Sequence, residues 1–164
     1  MNLIISSLED MRQFHGKVSH VLSIVDPDDS PNIPGLGVPL DRRLILLCDD
    51  VDSRAEARSR EKMIPGSKCT APSRSMVKKA LAFAKALPDH ATLLVHCGQG
   101  ISRSTAVAFA VLCQEQPNIN EQEVFQQVKR LRPQAYPNTL IVAQADALLG
   151  RDGRMCRAIQ SARG

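Results

Sequence analysis

Short apolar, β-branched runs separated by stretches of helical periodicity set the first constraint on this chain. "LIIS" (3–6), "VSHVLSIV" (18–25), "RLILLC" (43–48) and "ATLLVHC" (91–97) read as strands, the third as a buried one. Helix-start signals follow them. Ser7 stands ahead of "LEDMRQF", and "SRAE" (53–56) has capping-box spacing for a short charged helix from Arg54 to about Lys62, stopped by "IPGSK". Ser73 precedes Met76, Val77, Ala80, Leu81, Ala84 and Leu87 at helical spacing. Three more helices are predicted: 101–116, 121–131 behind an Asn120/Glu123 capping box, and 139–149 between Pro137 and Gly150. Strands alternating with helices predict an α/β fold with a mainly parallel central sheet flanked by helices. In such a sheet the chemistry belongs at the carboxyl ends of the strands. Two suggestive segments lie there: the acidic cluster Asp49, Asp50 and Asp52, and the loop between a strand and a helix that begins at Cys97.

The length of 164 residues suits one compact unit, read as a catalytic domain over 1–150 with a basic tail over 151–164. That tail, "RDGRMCRAIQSARG", reads as solvent-exposed or as an interaction segment. "DPDDSPNIPGLGVPLD" (26–41), with four prolines and two glycines, reads as a long surface loop. The net charge of +4 comes without a Lys/Arg block or interleaved aromatics, so no nucleic-acid partner is expected, whereas anionic substrates fit. Five cysteines (48, 69, 97, 113 and 156) form no C-x-x-C pair, which argues against a disulfide framework or zinc ribbon and for a reducing cytoplasm. No metal or cofactor is expected. The apolar run at the N-terminus is short, and no stretch is long enough to predict a signal peptide or a membrane span.

Cys97 opens the loop Gly98, Gln99, Gly100, Ile101 and Ser102, which leads into Arg103 and Ser104. A thiol has a free pKa of about 8.5 and needs a nearby field that favours its anion. A strand, a glycine turn and a helix start aim unpaired N–H groups and the helix dipole at one point, which stabilises a thiolate and an oxyanion alike. Gly98 and Gly100 are expected to permit close backbone approach. Arg103 adds a planar fork for two phosphoryl oxygens, and a hydroxyl from Ser102 or Ser104, with Ser104 favoured, can hydrogen-bond the sulfur.

"HCGQGISRS" (96–104) resembles the H-C-x5-R-S loop of the cysteine-dependent protein tyrosine phosphatase superfamily, in the H-C-x-x-G-x-S-R-S form of its dual-specificity branch. "RPQAYPN" (132–138) is similar to that branch's R-P-x-x-x-P-N stretch, and "VSHVLSIV" to its early strand. The likeness spans residues 18–149 and is greatest to small bacterial tyrosine-phosphatase-like proteins. It implies a phosphomonoester hydrolase acting through a cysteinyl-phosphate intermediate on a phosphoprotein or small phosphomonoester. Cys97 is then the nucleophile, Arg103 the phosphate clamp, residues 98–103 the substrate-binding loop, and His96, Ser104 and Asn138 its support. An aspartate from a separate loop is the general acid. Asp50, followed by Val51, matches that position, with Asp49 and Asp52 as rivals. Its separation from Cys97, 97 − 50 = 47 positions, exceeds the usual gap, and the surplus is "SRAEARSREKMIPGSK".

Each reading has a blander counterpart. Cys97 can be a buried structural cysteine, Asn138 a plain helix cap, and 54–62 a solvated helix face instead of a substrate-facing lid. Cys48 is either strand packing or a resolving thiol for oxidised Cys97. A rhodanese-like sulfurtransferase and a catalytically weak phosphate-binding module are the competing functions. One Tyr, four Phe and no Trp are present. With Phe83, Phe109 and Phe125 on core faces, only Tyr136 and Phe14 remain to flank a phenyl ring, so strict phosphotyrosine specificity is not supported.

Overall fold

The computed structural model describes residues 1–28, 33–64 and 66–163. Residues 29–32 of the loop expected over 26–41, Pro65 of the expected "IPGSK" stop, and Gly164 lie outside the described residues.

Four strands, β1 (Asn2–Ser7), β2 (His20–Val25), β3 (Arg43–Leu47) and β4 (Thr92–Cys97), form a parallel sheet in the order β1-β4-β2-β3. The α/β prediction is met. The described residues also form six α-helices: α1 (Arg54–Met63), α2 (Arg74–Lys85), α3 (Arg103–Glu115), α4 (Glu121–Leu131), α5 (Thr139–Leu149) and α6 (Arg154–Ser161). Leu3, Ile5, Leu22, Ile24, Leu93 and Val95 point from one sheet face into a core shared with α2 to α6. The other face is covered by a short 3-10 helix (Asp10–Phe14) and by Leu36 and Val38 of the long loop, packed on Val21 and Leu94. Because all strands run the same way, the ends of β1, β2, β3 and β4 share one edge, with Ser7 opposite Cys97 and Ser23 opposite His96.

The caps explain where the helices begin. Ser53 Oγ accepts from Glu56 N (3.0 Å), while Glu56 Oε2 accepts from Asp52 N (2.8 Å), a capping box shifted by one residue on its return bond. Ser73 accepts from Met76 N and Asn138 Oδ1 from Ile141 N. Asn120 accepts from Gln122 N, not from residue 123 as the predicted box requires. Gly150, at φ +63°, ends α5 in the left-handed conformation that glycine adopts without strain.

The short helix expected after Ser7 is present as a 3-10 helix, with Ser7 Oγ accepting from Asp10 N. Two expectations are corrected. β3 is no buried strand: it lies at the sheet edge with β2 as its sole neighbour, and Ile45 and Leu47 face outward at 41% and 43% exposure. The segment after residue 150 is not an exposed tail. Met155, Ala158 and Ile159 of α6 are buried against α4 and α5, Asp146 accepts from Gly153 N and Met155 N, and buried Arg151 pairs with Glu121 at 3.0 Å. A basic composition masked an apolar stripe at i, i+3, i+4 spacing. No helix among the described residues is long and apolar enough to cross a membrane.

Candidate active site

β4 delivers Cys97 to the sheet edge, and α3 begins six residues later with Arg103. The loop carbonyls between them all turn outward. Gly98 O accepts from Leu8 N (3.0 Å), Gln99 O and Gly100 O from the Arg132 guanidinium (3.0 and 3.1 Å), Ile101 O from Tyr136 N (2.9 Å), and Ser102 O from Ala106 N (3.0 Å). The N–H groups of residues 98–103 find no acceptor among the described residues. Occupied carbonyls and N–H groups left without acceptors fit an anion-binding nest at the start of a helix.

Gly100 is indispensable to this shape. Its φ is +70°, and a Cβ there would lie 2.7 Å from the backbone of Ser6 and Ser7 in β1. Gly98 differs from expectation, since a Cβ would meet nothing nearer than Arg103 Nη2 at 3.8 Å.

Cys97 is buried, with Sγ 3.2 Å from the hydroxyl of fully buried Ser104. Ser102, the other hydroxyl considered for the sulfur, instead donates to Asp50 Oδ1 at 2.7 Å. His96 is fully buried, with Nε2 2.7 Å from Ser23 Oγ. Burial pushes its pKa down to about 4, so the ring is neutral near pH 7.

Arg103 is also buried, and its fork is divided. Nη1 donates to Asp26 Oδ1 (3.0 Å) and Cys48 O (2.6 Å), whereas Nε and Nη2 have no acceptor among the described residues. Burial works against its charge, but the negative potentials of Asp26, Cys97 and Asp50 outweigh that and raise its pKa. The outer edge is anchored, and the edge beside Gly98 is free for two parallel bonds to a phosphoryl group.

The three acidic candidates separate cleanly. Asp49 accepts from Thr70 N (2.6 Å), and Asp52 accepts from Thr139 N (2.7 Å) and Thr139 Oγ1 (2.8 Å), so each closes a local structure. Asp50 faces a cavity of about 440 Å³ shared with Cys97, Gln99, Arg103, Asp26 and Arg60. Its Oδ1 is held by Ser102 Oγ and Asn138 Nδ2 (2.9 Å), and its Oδ2 lies 3.9 Å from Arg103 Nε. Asn138 therefore caps α5 and also braces the acidic turn, through Asp50 and through Val51 O (2.9 Å).

Three residues of the site carried no assigned role in the sequence reading. Asp26 directly follows β2, and Asp50 lies three residues past the end of β3; the strand-end rule was the signal for both, obscured for Asp26 by the prolines that follow. Arg132, inside the "RPQAYPN" stretch, holds two loop carbonyls. Arg60 reaches the cavity from α1. Neither aromatic candidate lines the cavity: Tyr136 lies under Arg163, whose guanidinium carbon is 3.8 Å from the ring centre, and Phe14 packs on the second sheet face. Cys48 is buried, and burial pushes its thiol pKa up to about 12. β2 separates β3 from β4, which puts Cys48 and Cys97 about two strand spacings, roughly 10 Å, apart and beyond disulfide reach without backbone movement.

No family model and no curated protein sequence matches the chain. Solved structures do. A Cydia pomonella PTP-2 phosphatase aligns with a TM-score of 0.62 at 21% identity, over 90% of this chain and 85% of that one. A variant of human DUSP28 aligns at 0.61 and 22%, over 91% and 92%. PTPMT1, in complex with PI(5)P, aligns at 0.63 and 16%, over 96% and 94%. The chain thus has the fold of the tyrosine and dual-specificity phosphatases.

Proposed function

We propose that the protein is a cysteine-dependent phosphomonoesterase of the tyrosine or dual-specificity type. One observation carries this reading: the loop carbonyls are occupied, the loop N–H groups and the Nε and Nη2 of Arg103 have no hydrogen-bond acceptor among the described residues, and Cys97, Arg103 and most of the loop line one cavity. That arrangement fits a phosphoryl dianion whose charge spreads over equatorial oxygens during transfer.

In the first step the Cys97 thiolate attacks phosphorus, the bond from phosphorus to the ester oxygen breaks, and the leaving oxygen takes a proton from Asp50. In the second, water attacks the phosphocysteine, Asp50 takes a proton from that water, and the sulfur leaves as a thiolate hydrogen-bonded by Ser104. Asp26 and Cys48 O hold the outer edge of Arg103 so that its inner edge keeps its aim. A reducing cytoplasm, expected from the cysteine spacing, is part of this proposal. The substrate is a phosphorylated protein or small molecule. A rhodanese-like reaction gains nothing from an acid poised against Arg103, and a pure binding module gains nothing from the paired thiol and hydroxyl.

The test is hydrolysis of an aryl phosphate beside a thiosulfate assay. Phosphate release that vanishes in Cys97→Ser, with no thiocyanate formed, is the expected outcome. Near-normal phosphate release by the purified Ser variant removes the covalent mechanism, and thiocyanate formation by the parent protein moves the assignment to sulfur transfer.

A further inference from the structure

Helix α1 lies in the stretch that lengthens the spacing between Asp50 and Cys97, and it is poorly explained as a packing element. Ala57 is its sole buried residue, while Arg54, Arg58, Arg60 and Lys62 outnumber Glu56 and Glu61. One position on it reaches the cavity. Arg60 Nη2 donates both to Asp50 O (3.1 Å) and to Glu56 Oε1 (2.8 Å), which fixes the side chain at the rim. Its Nε and Nη1 have no acceptor among the described residues, and the side chain is half exposed. The guanidinium is thus tethered by one nitrogen and offers the others.

Among the described residues the wall it belongs to contains no aromatic ring, so the organic part of a substrate finds no stacking surface on them. Charge is what the rim has to offer. Of the two arginines lining the cavity, Arg103 lies in the phosphate loop, and Arg60 stands apart from it on the far side of Asp50. A planar, permanently charged fork held by one nitrogen is suited to a phosphate or carboxylate oxygen pair.

We propose that Arg60 reads a second anionic group, so that the preferred substrates are phosphomonoesters bearing another phosphate or carboxylate a few atoms from the scissile one. This rests on the phosphatase reading above. The second anion can belong to a small bisphosphate or to an acidic neighbour in a phosphopeptide, and the two sources are separable by experiment.

The measurement is a ratio of kcat/KM values. One arm compares an alkanediol bisphosphate with the matched monophosphate, and the other compares a phosphoserine peptide flanked by Glu with one flanked by Ala. The parent protein should favour the doubly anionic member of at least one pair by about tenfold, the scale of one charge-assisted hydrogen bond at a half-exposed site. Arg60→Met should bring that ratio close to one. Arg58→Met, an exposed cation of the same helix away from the cavity, should leave it unchanged. Using a ratio cancels any general effect of loosening Asp50. The arm that shows the preference identifies the source of the anion. Turnover without preference, or a preference that survives Arg60→Met or falls equally in Arg58→Met, overturns this inference and leaves the phosphatase reading standing. No turnover of any of the four substrates overturns both.

Discussion

Replacing Gly100 and Gly98 separately by alanine tests whether the loop is shaped by its contact with β1. At Gly100 the added methyl meets two independent obstacles. The φ of +70° costs an L-residue about 1–2 kcal/mol. The Cβ would also sit 2.7 Å from three backbone atoms of Ser6 and Ser7, where overpacking costs a further 1–3 kcal/mol or so. Together these amount to about 2–5 kcal/mol, which lowers Tm by about 4–20 °C in a domain of this size. Relief to an ordinary 3.4 Å contact requires the loop to move by about 0.7 Å, a displacement on the scale at which catalytic geometry loses about 10²-fold in rate. Gly98→Ala meets only Arg103 Nη2 at 3.8 Å, an ordinary van der Waals distance, and its stability should change by less than about 1 kcal/mol. Thermal unfolding and kcat/KM on an aryl phosphate, measured on both variants, decide the matter. A Gly100→Ala protein within 2 °C and twofold of the parent, or a Gly98→Ala protein equally damaged in Tm, would refute the argument from β1.

Asp50→Asn should lose about 10²–10⁴-fold on an alkyl phosphate and far less on an ester with an activated leaving group, whereas Asp49→Asn and Asp52→Asn should show no such leaving-group dependence; Asp26→Asn showing it instead moves the acid to β2. Arg132→Met removes the donors to Gln99 O and Gly100 O, so vanadate affinity and kcat/KM should fall by about 10-fold or more, with a smaller loss in Arg132→Lys; unchanged vanadate binding shows that the carbonyls stay outward without it. His96, held to a pKa of about 4 against 6.5 unfolded, remains neutral in the folded chain while the unfolded chain takes up a proton. Its contribution is therefore complete above pH 6.5 and lost as pH falls toward 4, about 3 kcal/mol in all. Urea unfolding across that window should fall more steeply for the parent than for His96→Asn, and parallel curves would assign the acid sensitivity to other groups.

Elements marked by a local signal were readable from the chain alone. Ser53, Ser73, Asn120 and Asn138 announce four helix starts because each side chain bonds an N–H two or three residues on, a relation confined to adjacent sequence. The Cys97 loop was legible for the same reason: cysteine, glycine turn and arginine are contiguous. Relations across the sheet were not. That β3 is an edge strand depends on strand order, and that Asp49 is consumed by Thr70 while Asp50 meets Ser102 and Asn138 depends on segments tens of residues away. Asp26 was hidden because a proline-rich stretch reads as punctuation, although its first residue abuts a strand end. α6 was missed because its arginines dominate composition, while Met155, Ala158 and Ile159 carried the periodic signal.

The bonds that tie Asp50, Val51 and Asp52 to Asn138 and Thr139 join the turn after β3 to the first residues of α5, and Asn138 N is bonded in turn to Ser102 O of the phosphate loop. Asp50, the proposed acid, is therefore linked to the Cys97 loop and to α5 by one closed chain of hydrogen bonds. An acid carried on a separate hinged flap would have to swing in for every turnover; on the proposed assignment, Asp50 is in position before the substrate arrives. Substrate capture and product escape then proceed through an open mouth, and raising solvent viscosity with glycerol should leave kcat unchanged.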